Sequence, residues 1–113
     1  MLNYLNERLI SVEGLEAEVI QILIDEVECN ECFMDELLCY GCQSGIVTEL
    51  ITYQQTEEFF KRHMNEIFVL YNNYISEFGT SKFDVNANNL TWLAFEIIAD
   101  NIYYDYQSIN EEA

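Results

Sequence analysis

The segment LEAEVIQILIDEV, residues 15–27, carries the most regular apolar pattern of this chain. Its apolar residues, mostly three or four positions apart, are Leu15, Val19, Ile20, Leu23, Ile24 and Val27. This spacing places them on one side of an α-helix, with most of the neighbouring acidic residues off that side. We therefore predict a helix over residues 15–27 whose apolar stripe is buried in a helical core.

Similar patterns predict further helices over residues 2–10, 45–51, 56–78 and 90–106. The last is apolar almost all round near its middle, so we expect it at the centre of the bundle. Its expected inward residues are Leu90, Leu93, Ala94, Ile97 and Ile98. The chain has 113 residues and no proline, which suits one helical domain. We predict an all-α fold, a compact single-domain bundle of about five helices over residues 1–113, with a frayed acidic tail at residues 108–113.

Capping residues predict where the helices begin and end. Ser11 is expected to cap the helix that follows it, and Thr56, followed by two glutamates, is expected to begin the longest helix. Gly79 is expected to end that helix. Asn88 or Asn89 is expected to cap the final helix.

The net charge is the most unusual property of the composition. The chain has 21 acidic residues against 4 basic ones, which gives a formal net charge of −17. Direct binding to nucleic acid or to an anionic membrane is excluded, because phosphate contacts require Lys and Arg. The charge indicates a basic protein as partner. No apolar run reaches the roughly 18 residues of a membrane span and no signal peptide is visible, so we expect a cytoplasmic protein.

The acidic residues are densest in residues 25–36, DEVECNECFMDE, where half of the positions are Asp or Glu. The candidate partner-binding carboxylates are Glu13, Glu16, Glu18, Asp25, Glu26, Glu28, Glu31, Asp35 and Glu36. Like-charged neighbours cost a helix about 0.2–0.5 kcal/mol per pair, so such a surface does not help folding. Two interpretations stay open: a surface that imitates nucleic acid and fills a basic groove, or a merely solvated face. Weak binding of divalent cations is a minor third interpretation.

Four cysteines, Cys29, Cys32, Cys39 and Cys42, form two CxxC pairs in the same region. Paired CxxC motifs are a signature of zinc, but this spacer is shorter than that of common zinc ribbons. On one continuous helix, three of the thiols would share a half-buried face. We therefore favour core thiols over structural zinc or a redox pair, and we predict no cofactor and no metal.

The remaining side chains with chemical potential indicate structure or contacts rather than catalysis. His63 lies on an apolar helix face, where a packed or half-exposed structural histidine is expected. Tyr103, Tyr104 and Tyr106 point in different directions around a helix, so one core face cannot take all three; core packing and contact with a partner or a second copy both stay open. No catalytic motif is present, and we predict that the protein is not an enzyme.

Two groups of residues resemble a family of small uncharacterised phage and plasmid proteins. The first, within residues 40–67, is Tyr40, Gly41, Cys42, Gln43, Ser44, Gly45, Ile46, Val47, Leu50, Ile51, Tyr53, Thr56, Phe59, His63, Glu66 and Ile67. The second, within residues 90–99, is Leu90, Trp92, Ala94, Phe95, Glu96 and Ala99. The resemblance implies an origin in mobile elements and a shared scaffold, and it leaves the acidic residues 25–36 outside the match. In charge and size the chain is also similar to acidic phage proteins that inhibit restriction or CRISPR nucleases.

These observations lead to one hypothesis and two alternatives. The leading hypothesis is a phage-type anti-CRISPR or anti-restriction inhibitor, whose acidic surface occupies the basic nucleic-acid groove of a nuclease in the bacterial host cell. One alternative is a small zinc-stabilised regulatory module held by the four cysteines. The other is an acidic structural or assembly protein that forms a homodimer through aromatic helix faces.

Overall fold

The computed structural model describes residues 1–34, 50–79 and 85–112. These residues form four helices, α1 (Leu2–Ser11), α2 (Leu15–Cys29), α3 (Tyr53–Phe78) and α4 (Ala87–Glu112), and no strand. The radius of gyration is 14.0 Å, close to the roughly 13 Å of a compact 100-residue domain. The all-α prediction is confirmed. The described part of the chain has four helices where about five were predicted, and most of the predicted helix over residues 45–51 lies outside the described residues.

Helix α2 supplies a large part of the core, although the sequence predicted the final helix at the centre of the bundle. All six residues of the predicted stripe are buried. The helix packs against α1, α3 and α4. Its other side carries the acidic residues that are discussed below. The predicted burial of this stripe is confirmed.

The most extensive helix pairing is between α3 and α4, and it holds buried polar contacts. The hydroxyl of Thr56 donates to the side-chain oxygen of Asn88, and the hydroxyl of Thr91 donates to the carbonyl of Thr56 at 3.3 Å. The indole of Trp92 donates to the carbonyl of Ile51 at 3.0 Å. These bonds fix how α4 is rotated against α3.

That rotation corrects the predicted inward face of α4. Phe95 and Ile102 are buried, whereas Leu93 and Ile97 are only half-buried. Leu90, Ala94 and Ile98 are buried as predicted. An apolar pattern that surrounds a helix does not specify which side turns inward, so the α3 contacts decide it.

Several predicted helix ends are also corrected. Thr52, not Thr56, caps α3: its hydroxyl accepts from the amide of Gln55 at 3.4 Å, and the Gln55 side chain accepts from the amide of Thr52 at 2.9 Å. Asn86, rather than Asn88 or Asn89, caps α4, since its side chain accepts from the amide of Asn89 at 2.9 Å. Helix α4 continues to Glu112, beyond the point where fraying was predicted.

Two glycines with positive φ bound the helices. Gly79, with φ of 85°, ends α3 as predicted. Gly14, with φ of 73°, precedes α2, whereas Ser11, the predicted cap, is the last residue of α1. Both positions favour glycine, because other residues are strained in this region of backbone space.

Candidate partner-binding surface

The structure separates the predicted carboxylates into three groups. Glu13, Asp25, Glu28 and Glu31 are exposed, and Glu26 is half-buried. Glu16 and Glu18 are half-buried and engaged within the chain. Asp35 and Glu36 lie outside the described residues. The candidate site is therefore narrower than the sequence alone indicates.

Glu16 is engaged by Arg8 of α1. The Arg8 guanidinium lies 2.9 Å from the Glu16 carboxylate and 3.2 Å from that of Asp105 on α4, and it donates to the hydroxyl of Tyr4 at 3.1 Å. Burial would lower the pKa of Arg8, but its interactions with Glu16 and Tyr4 outweigh this and raise it. Arg8 thus stays charged and joins α1, α2 and α4.

Glu18 is engaged by two residues of α3. Its carboxylate lies 3.1 Å from Arg62 and 2.5 Å from Nε2 of His63. Arg62 also lies 5.1 Å from the ring centre of Phe59 and 3.9 Å from Glu58. Glu18 therefore stabilises the contact between α2 and α3 and is poorly placed to bind a partner.

Glu66 completes this contact, and sequence reasoning missed its role. Its carboxylate accepts from the backbone amide of Leu15 at 3.0 Å, which satisfies a free amide at the start of α2. It also lies 3.5 Å from Nδ1 of His63. Only tertiary structure brings Glu66, 51 positions away, to the first turn of α2. A capping residue on another helix leaves no signal in the local sequence of α2.

His63 lies between the two carboxylates of Glu18 and Glu66 and is half-buried. Its backbone is not helical, with φ of −128° and ψ of 27°, so α3 is kinked at this residue. The predicted structural role of His63 is thus confirmed. Among the described residues, no group of three His, Cys, Asp or Glu side chains could hold a metal ion.

Glu13 precedes α2, and the other exposed candidate carboxylates lie at the C-terminal end of this helix. We call Asp25, Glu28 and Glu31 the acidic patch. Asp25 and Glu28 are one turn apart on the exposed side of α2, a separation of about 5–6 Å between neighbouring positions, and Glu31 follows the helix end at Cys29. Asp25 accepts a hydrogen bond from the neutral Gln21 at 3.1 Å. None of the three has an ion-pair partner among the described residues.

The position of the acidic patch is unfavourable for the helix itself. The C-terminal end of a helix is partially negative, so a carboxylate there destabilises by about 0.3–1 kcal/mol. The last turn of α2 has no basic residue to compensate. These acids therefore weaken α2, unlike Glu16 and Glu18, which hold the helices together.

The structure corrects the expectation of core thiols for Cys29 and Cys32. Cys29 and Cys32 are both exposed and free. Helix α2 ends at Cys29, and Asn30 accepts from the amide of Cys32 at 3.1 Å, so the continuous helix that would bury the thiols does not form. Cys39 and Cys42 lie outside the described residues, and the zinc alternative stays a prediction.

The tyrosines of α4 are distributed as their spacing predicts. Tyr103 is half-buried against the core, and Tyr106 packs against Tyr4 in a tilted arrangement with ring centres 5.4 Å apart. Tyr104 is 66% exposed. One core face does not take all three, and Tyr104 is available for contact.

Fold and charge together define the class of this protein: a helical domain with an excess of exposed carboxylates beside its central helix. The chain belongs to the family described as a domain of unknown function, DUF7222, which matches residues 12–108. The matched range includes residues 25–36, so the acidic segment lies within the family domain rather than outside it. Neither the curated proteins nor the solved structures contain a match to the chain. Among the described helices, none is long and apolar enough to cross a membrane.

Proposed function

We propose that this protein is a phage-type inhibitor of a bacterial defence nuclease, of the anti-CRISPR or anti-restriction kind. Its acidic patch occupies a basic nucleic-acid-binding groove and excludes the natural substrate. The observation that carries the proposal is the division of the carboxylates. Arg8 and Arg62 form ion pairs inside the fold, while the acids of the patch pair with no cation in the part of the chain that the structure describes. The net charge of −17 adds a long-range field that attracts a basic surface.

The patch fits this role through its spacing and position. Asp25 and Glu28, at helical neighbour distance, are spaced on a scale similar to that of phosphates along a nucleic-acid strand. Their location at the partially negative end of α2 costs stability, which is the pattern of a surface built for binding. Asp35 and Glu36 lie outside the described residues and stay candidate partner-binding residues on the ground of the sequence alone. Glu16 and Glu18 are left out of it, because their cations lie within the chain.

Competition with DNA is the direct consequence of this mechanism. A purified CRISPR nuclease and a purified restriction endonuclease would each be incubated with the protein and with a labelled DNA substrate. For the target nuclease, we expect the protein to prevent DNA binding and excess DNA to displace the protein. If a nuclease–DNA complex forms unchanged while the protein stays bound, occupation of the groove is contradicted.

A matched set of variants separates the patch from total charge. Asp25→Asn, Glu28→Gln and Glu31→Gln together remove three charges from the patch. Glu7→Gln, Glu57→Gln and Glu77→Gln remove three charges from exposed positions elsewhere. Only the patch variant should lose inhibition. Equal loss in both sets would indicate non-specific attraction instead.

A second candidate function, an acidic assembly protein that forms a homodimer, is favoured by one observation on α3. This helix exposes several large apolar side chains: Met64, Phe68, Val69 and Phe78. Sedimentation equilibrium over a range of protein concentrations tests it. A dimer that Phe68→Ser abolishes would support assembly, and a monomer at all concentrations would remove this candidate.

A further inference from the structure

We propose that the cleft bordered by α1, the end of α2 and α4 receives an arginine side chain of the partner. The inference rests on the proposed function, because it assigns the anchor point of the same docked partner. The proposed function requires only that the acidic patch attracts a basic surface. The inference adds a specific contact between this patch and one arginine of the partner.

The cleft has a volume of 790 Å³, within the roughly 300–1,000 Å³ of typical ligand-binding sites. The residues of its wall that matter here are Val27, Glu28, Glu31, Met34, Tyr103 and Tyr106. They come from α2, from the residues just after it and from α4. The cleft is thus part of the helical packing and lies beside the acidic patch, with which it shares Glu28 and Glu31.

The wall combines three kinds of surface that an arginine side chain matches. Leu2, which also lines the cleft and is half-buried, offers apolar atoms to the aliphatic stem, above the buried Val27 and Met34. Tyr103 and Tyr106 line the cleft, and an aromatic ring attracts a planar guanidinium. Glu28 and Glu31 offer carboxylate oxygens to its five N–H donors. A lysine ammonium is neither planar nor forked. It therefore does not stack on a ring or bind a carboxylate through paired N–H groups as a guanidinium does.

The carboxylates of Glu28 and Glu31 are not neutralised by the charged amino group of Met1, which also lines the cleft. The amino group of Met1 donates to the hydroxyl of Tyr106 at 3.2 Å and forms no ion pair with a described carboxylate. Glu28 and Glu31 have no hydrogen-bond or ion-pair partner among the described residues. An anion would be repelled by the pair. A cation that brings hydrogen-bond donors and an apolar stem is the complementary occupant.

A titration of the full chain with a blocked Ala-Arg-Ala peptide, followed by amide NMR shifts, tests the inference. We expect saturable shifts at Glu28, Glu31, Tyr103 and Gln107, and an affinity at least about tenfold higher than for the neutral citrulline peptide. Glu28→Gln with Glu31→Gln should weaken binding by about tenfold, while Glu7→Gln with Glu57→Gln should not. Shifts spread evenly over all acidic residues, or equal binding of both peptides, would overturn it.

The same variants separate this inference from the proposed function. If Glu28→Gln with Glu31→Gln abolishes peptide binding but the protein still inhibits its nuclease, the anchor is wrong and the inhibitor function stands. If the peptide binds in the cleft but none of the defence nucleases binds the protein, the proposed function fails and the cleft remains a site for arginine.

Discussion

The carboxylate of Glu66, on α3, accepts a hydrogen bond from the backbone amide of Leu15 at 3.0 Å and so caps a helix to which it does not belong. The residue before Leu15 is Gly14, whose positive φ turns the chain into α2. A Cβ at Gly14 would lie 2.7 Å from a Glu66 carboxylate oxygen. Cap and turn therefore depend on one another.

Glu66→Ala should destabilise the protein by about 0.5–2 kcal/mol, the range for loss of a helix cap. Gly14→Ala should destabilise it by at least about 1 kcal/mol, because its backbone conformation is strained for alanine. Since Gly14→Ala also displaces the Glu66 side chain, the double variant should lose less than the sum of the two. Urea denaturation measures all three, with Glu77→Ala, exposed on the same helix, as control. Strict additivity would contradict the shared role.

Glu18→Gln should lower stability by about 1 kcal/mol, because it removes the charge between Arg62 and His63 in a partly exposed contact. Partner affinity should change by less than about twofold, as measured by calorimetry, since this carboxylate faces α3 rather than the acidic patch. Glu7→Gln, at an exposed position, provides the stability control. A strong loss of affinity without loss of stability would show that Glu18 contacts the partner, and would contradict its structural role.

Glu28→Gln should have effects opposite to those of Glu18→Gln: higher stability and weaker partner binding. Removing a negative charge from the last turn of α2 relieves its unfavourable interaction with the helix dipole, so stability should rise by about 0.3–1 kcal/mol. Urea titration at low salt measures this gain, and the gain should shrink as salt is added. Partner affinity should fall in parallel. A variant that is both less stable and fully active would contradict the assignment of Glu28 to function.

Cys29 and Cys32 should react with iodoacetamide in the folded, reduced protein, because both side chains are exposed. Peptide mass spectrometry of samples quenched at intervals follows each thiol separately. Labelling should proceed at nearly the rate seen in urea. Protection of either thiol until unfolding would show that it is buried or bound.

The fold was predictable where one residue pattern alone determines burial. The stripe of α2 is such a case, since six apolar residues share one side of the helix and most of the other positions are acidic or polar, which leaves one choice of inward face. In α4 apolar residues surround the helix, so the sequence does not define its inward side. The hydrogen bonds of Thr56 and Trp92 determine which side faces the core. For the start of α3, the sequence contains Thr52 and Gln55 in the spacing of a capping box, and the glutamates after Thr56 give a second start signal four residues further on.

The candidate site was predictable only as a set of acidic residues. Composition identifies the excess of carboxylates, but it does not show which of them meet a cation in the folded chain. Glu18 and His63 are 45 positions apart, and only the packing of α2 on α3 joins them. The division into structural and free carboxylates therefore comes from tertiary structure.

The salt dependence of partner binding tests the central claim most directly. Affinity for the target nuclease would be measured from about 50 to 500 mM NaCl, where the screening length falls from roughly 14 to 4 Å. We predict that affinity falls at least about tenfold across this range. The patch variant, with Asp25→Asn, Glu28→Gln and Glu31→Gln, should lose most of this salt dependence. The control variant, with Glu7→Gln, Glu57→Gln and Glu77→Gln, should keep it. An affinity that is flat with salt, or unchanged when the acidic patch is neutralised, would contradict the claim.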